Sequence, residues 1–143
     1  MKLITLPKED ARRAVLGFDE LLNVPLHTDY SGIIVIHTSG AMLGCVRVTR
    51  GCEPDGTDLP GAAGPWCLIL EPRCVFDEPV PYVLHRPKHR QLVDAPEDVN
   101  WNAIVAAAMP PRAWLDRQAR QNPQPIDLAN VYPPSGPDGW QGD

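Results

Sequence analysis

The residues of this chain best suited to chemistry fall into three groups. The first is His85-Arg86-Pro87-Lys88-His89-Arg90, which places five potentially cationic side chains within six positions. That density suits contacts to phosphate oxygens, and Arg86, Lys88 and Arg90 are the candidate phosphate-binding residues. The alternative is a solvated edge loop balanced by Asp77, Glu78 and Asp94, and the sequence leaves both readings open. Arg112, Arg117 and Arg120 would enlarge the patch if the C-terminal helix folds back. The second group is Cys45, Cys52, Cys67 and Cys74, separated by six, fourteen and six residues. Zinc sites usually bring two thiolates together from a tight turn with about two intervening residues. A gap of six lacks that logic, so no metal is expected, and Cys45 and Cys67 read as small core hydrophobes. The third group is polar: Asp19, Thr28, Tyr30 and His37 could converge as a small recognition site. His37 ends an apolar run, where a histidine is first of all satisfied by backbone partners and secondarily a ligand contact. His27 reads as plain surface.

Other chemistry finds little support. There is no glycine-rich phosphate loop, no nucleophile elbow and no pair of histidines on one helical face, and no cofactor is expected. Thirteen Lys and Arg against eighteen Asp and Glu give a formal charge of −5, which argues against binding nucleic acid by overall basicity. Any phosphate partner needs a local patch. No apolar run approaches the roughly 18–20 residues of a membrane span. The first residues lack the pattern of a signal peptide, so a cytoplasmic protein with reduced cysteines is expected.

These groups must be positioned by short elements, because seventeen of the 143 residues are proline, about 12% against a typical figure of about 5%. Pro7, the acidic pair Glu9 and Asp10, the basic pair Arg12 and Arg13, and Gly17 predict a helix over 8–16. Phe18–Asp29 is less regular, with Val24 held extended by Pro25. Residues 32–38 read as a strand buried on both faces, and 41–49 as a second with period-two alternation. Residues 51–65 hold four glycines and three prolines and read as a long loop. Further strands are expected at 66–71 and at 80–84, the latter near an edge because of Pro79 and Pro81. Helices are expected at about 97–108 and from Pro111 to Arg120. Residues 122–143 carry five more prolines and read as an extended tail. Trp66, Trp101 and Trp114 read as structural, while Trp140 in the tail could anchor a partner.

The stretch from Gly17 to Ser39 resembles the ASCH family of PUA-like β-barrels. That family reads Gly-x-Lys-x-x-Glu-Asn-Arg, then Thr-x-Tyr-Arg-Gly, then an apolar strand ending Ile-His-Ala-Ser. Gly17, Asn23, Thr28, Tyr30, Gly32, Ile36, His37 and Ser39 fall on matching positions without a gap. Leu43–Val48 looks like the family's Leu-Gly-x-Val strand, and Trp66–Glu71 with Pro79-Val80-Pro81 like its last strands. The resemblance covers about residues 1–92. It implies an α+β fold, a small PUA-like β-barrel over 1–95 with an N-terminal helix, followed by a C-terminal helical extension at 96–121 and the proline-rich tail at 122–143. The family's charged signature is replaced: Asp19, Leu22, Val24 and Ser31 stand where Lys, Glu, Arg and Arg are usual. A carboxylate at position 19 can serve neither as a cationic nucleophile nor as a phosphate clamp.

The leading expectation is therefore a non-enzymatic module that binds RNA or a nucleotide or nucleoside in the barrel cleft. Thr28, Tyr30, His37 and Trp66 would line the pocket, with Tyr30 or Trp66 available for stacking. The alternatives are a divergent amidohydrolase of acetylated cytidine or a related nucleoside, with Asp19 and His37 as base and orienting group, and a protein-interaction adaptor that works through the tail.

Overall fold

The computed structural model describes residues 1–121; the expectations for the tail at 122–143, Trp140 included, lie outside the described residues. In chain order the elements are β1 (Lys2–Thr5), α1 (Lys8–Val15), β2 (Leu21–Val24), β3 (Gly32–Thr38), β4 (Ala41–Cys52), β5 (Trp66–Pro81), β6 (Leu92–Asp94), α2 (Trp101–Ala107) and α3 (Pro111–Gln121). The six strands form one sheet in the order β2-β5-β4-β3-β1-β6, curled into a half-barrel. Among the strand–strand pairings of the described residues, β1–β3 is parallel and the rest are antiparallel.

Alternation along the central strands sorts side chains onto two faces. Ile4, Ile34, Ile36, Val46 and Val48 join a core that contains Ala11, Ala14 and Val15 of α1, with Trp114 and Leu115 of α3 packed against it. Leu3, Val35, Met42, Cys45 and Phe76 belong to a second core, covered by Val99, Trp101 and Ile104. A strand such as Ile33–Ile36 is hydrophobic throughout because both of its faces are covered. Helix α1 ends as its sequence suggests. Gly17 takes φ +81°, its N–H reaches the Ala14 carbonyl, and the Phe18 N–H reaches Arg13, a Schellman ending that needs a left-handed residue at that point.

The elements differ from the sequence reading in several places, β6 at Leu92–Asp94 among them. The N-terminal residues form β1, an interior strand. The less regular stretch after Gly17 contains β2, so the extended conformation forced on Val24 continues a paired strand. The segments at 66–71 and 80–84 belong to one strand that ends at Pro81; its register with β4 breaks opposite Leu43, leaving Phe76–Pro79 without partners on β4. Finally, β4 runs on to Cys52, a 3₁₀ turn occupies Pro54–Gly56 within the long loop, and α2 begins at Trp101 rather than 97. Asn100 caps α2 by accepting from the Ala103 N–H.

The helical extension packs as part of the same body. Val75 and Met109 exchange backbone hydrogen bonds on the edge of β5 that β2 does not reach. Arg117 of α3 binds the Asp77 carboxylate and, at 2.9 Å, the Asp77 carbonyl. Arg117 is thus committed to the stretch of β5 without partners on β4 and does not enlarge the basic cluster.

Candidate binding cleft

The two outermost strands, β2 and β6, are not paired with each other, and a cleft of about 170 Å³ opens where their ends approach. Val24, Leu26, His27 and Thr28 form one wall, and Arg90, Gln91 and Leu92 form the other. This volume is below the roughly 300–1,000 Å³ of sites for drug-sized ligands. It suits a base, a sugar or a phosphate group rather than a large cofactor.

Each wall is built by local structure. Past Pro25, the Thr28 hydroxyl accepts from the Tyr30 N–H at 3.2 Å, which turns the chain toward β3. His27 lies against the ring of Trp66, with centroids 4.2 Å apart and planes inclined by 52°, and its Nε2 is 3.5 Å from the Asp29 carboxylate. Trp66 stands opposite Val24 in the β2–β5 ladder, and its indole lies over Gly51, where any Cβ would come within 2.5 Å of Nε1. On the other wall, Arg90 has φ +63° and donates its backbone N–H to the Thr5 carbonyl. Its guanidinium pairs with Asp10 of α1.

The residues singled out in the sequence divide accordingly. Thr28 and Arg90, sixty-two positions apart in the chain, line the same cleft. Trp66 backs it through His27. Arg86 and Lys88 are exposed on the stretch that leads into Arg90. Tyr30 does not line the cleft: its hydroxyl donates to the Ile33 carbonyl at 2.5 Å, and its ring packs on the first core. Nor does His37, which is only 2% exposed. Its Nε2 is 2.7 Å from the Tyr82 carbonyl and must carry the proton, leaving Nδ1 to accept from the Thr5 hydroxyl at 3.1 Å. His37 therefore ties down the basic segment from beneath, through Tyr82 before it and Thr5, whose carbonyl takes the Arg90 N–H. Asp19 is held elsewhere, 3.1 Å from both Nε and Nη2 of Arg13. Asp19 and His37 thus have separate partners, and nothing in their geometry makes them a base and its orienting group. The negative charges expected to balance the cluster are also distributed otherwise, Asp94 on Lys2 and Asp77 on Arg117.

Two residues take roles that the sequence did not assign them. His27 forms part of the cleft wall, and its place beside Thr28 was the one available hint. Asn23 donates to the Gly61 carbonyl at 2.9 Å and accepts from the Ala63 N–H at 3.0 Å and from the Cys67 thiol at 3.2 Å. It thereby fastens the long loop to the edge of the sheet beside the cleft. No helix among the described residues is long and apolar enough to cross a membrane. No protein-family model matches the chain, and no curated protein is significantly similar to it.

Proposed function

We propose that this chain is a non-enzymatic, PUA-like binding module that takes RNA, or a nucleotide unit of it, in the cleft between β2 and β6. The observation that carries the reading is the convergence of Thr28 and Arg90 in one cleft, with His27, backed by Trp66, in one wall and Arg86 and Lys88 leading up to it. A hydroxyl and an imidazole can recognise a base edge or a sugar, and the guanidinium can share its charge between Asp10 and a phosphate. The net charge of −5 makes such binding a local matter. The gapless match between residues 17 and 39 and the ASCH pattern supports the same reading.

The test is fluorescence anisotropy with short single-stranded RNA and with mononucleotides at low and moderate salt. Affinity for RNA is expected to fall as salt rises. The combined R86E and K88E change should flatten that dependence, lowering the slope by about 0.7 for each phosphate that is no longer neutralised. T28V and H27A should weaken binding while leaving the salt slope intact. Absence of binding to RNA, single-stranded DNA and nucleosides alike, with no effect of the charge reversals, would overturn the proposal.

A further inference from the structure

The regular cysteine spacing has a structural explanation. Strands β4 and β5 are antiparallel neighbours, and their register sets Cys45 opposite Cys74 and Cys52 opposite Cys67. Between the two pairs the ladder contains two bulges, one leaving Arg73 unpaired on β5 and one leaving Thr49 unpaired on β4. One extra residue on each strand cancels, so equal six-residue gaps produce two cross-strand pairs. Directly opposed residues of an antiparallel ladder have Cα atoms about 4.5–5.5 Å apart, inside the roughly 4.4–6.8 Å span of a disulfide. All four cysteines are free thiols.

The two pairs differ in access and in bonding. Cys52 and Cys67 are both buried, and the Cys67 thiol donates to Asn23 Oδ1 and the Ala63 carbonyl. Cys74 is only half-buried, whereas Cys45 is buried within the second core. Cys45 and Cys74 are direct partners across the β4–β5 ladder. Within that pair Cys74 is the more exposed residue and Cys45 the more buried one.

We propose that Cys45 and Cys74 form a redox-active dithiol, which a low-molecular-weight disulfide converts into a cross-strand disulfide between β4 and β5. The Cys74 thiolate attacks one sulfur of the small disulfide, whose S–S bond breaks and releases one thiolate, leaving a mixed disulfide on Cys74. Cys45 then gives up its proton to a released thiolate and attacks Cys74 Sγ, forming the intramolecular S–S bond and expelling the second small thiol. The protein loses two hydrogens and is oxidised, while the small disulfide is reduced to two thiols. Hydrogen bonding from Cys45 favours the attacking role of Cys74, since it lowers that thiol to about 7 against the opposing effect of burial, with Arg73 adding to the lowering. The same interaction raises Cys45, which keeps its proton until the second step.

The full chain incubated with oxidised glutathione and followed by intact-mass and disulfide-mapping mass spectrometry tests this. The expected product has lost two hydrogens, carries a Cys45–Cys74 linkage and retains Cys52 and Cys67 as free thiols. C45S should stop at a single glutathione adduct on Cys74, and C74S should give neither adduct nor disulfide at Cys45. C45A provides a second form of the first variant should serine disturb the buried position. Retention of four free thiols by the unmodified chain, a mapped Cys52–Cys67 linkage instead, or a persistent Cys74 adduct with Cys45 intact would each overturn the proposal.

Discussion

At Cys74 the surroundings favour the thiolate over the thiol. Its thiol is lowered from 9.0 to about 7, chiefly by the hydrogen bond from Cys45, with the Cys45 backbone and Arg73 adding to the effect and burial opposing it. Because the lowered group is an acid that ionises to an anion, thiolate predominates above pH 7 and disappears below it. Alkylation of Cys74 by iodoacetamide should therefore reach half its maximal rate near pH 7, and C45A should move that midpoint upward. A rate that keeps climbing beyond pH 8.5 in the unmodified chain would contradict the assignment. The cysteine spacing was plain in the sequence, but its meaning was not, because two compensating bulges are a property of the packed ladder. His37 was more legible: a histidine ending a fully apolar strand has few options besides backbone and hydroxyl partners.

Asn23 shows how an element can depend on one side chain. The loop after β4 runs past the 3₁₀ turn to Pro65 with little backbone pairing of its own, and Asn23 holds it at Gly61 and Ala63 while accepting from Cys67 of β5. Replacing Asn23 with alanine should cost about 0.5–1.5 kcal/mol in urea unfolding, since the bonds to the exposed Gly61 and Ala63 backbone and the bond from the buried Cys67 thiol are lost together. It should also open a protease-sensitive stretch between Thr57 and Pro65, and an unchanged cleavage pattern would show that the loop is held by other means. The strands with clear alternation or unbroken apolar runs, β3 and β4, were readable from sequence. Strands β1 and β6 were not, because four and three residues offer almost no period and their pairing is entirely remote. Strand β5 looked like two strands because Pro72, Pro79 and Pro81 punctuate it, whereas the fold accommodates them in one strand whose register with β4 shifts.

At the scale of the whole molecule, the half-barrel is covered on both faces, and the second face depends on residues that a domain limit at 95 would exclude. Val99, Trp101, Ile104 and Ala108 cover Leu3, Val35, Met42 and Phe76, with the rings of Phe76 and Trp101 centred 6.3 Å apart. A fragment ending at residue 96 should aggregate and lose cooperative thermal unfolding, as followed by gel filtration and circular dichroism. Melting within a few degrees of the full chain would show that the extension is dispensable. The cleft was legible only in its parts: the sequence identified Thr28 and Arg90 separately, but the approach of the two sheet edges that unites them is a tertiary outcome. The position of β1, between β3 and β6, also has a kinetic consequence. The β3–β4–β5 meander closes between near neighbours in the chain, but β1 must capture partners about thirty and about ninety residues away, and such long closures come late and slowly. Strand β6 begins at Leu92, on the wall of the cleft, so a nascent or refolding chain gains its cleft only in the step that completes the sheet.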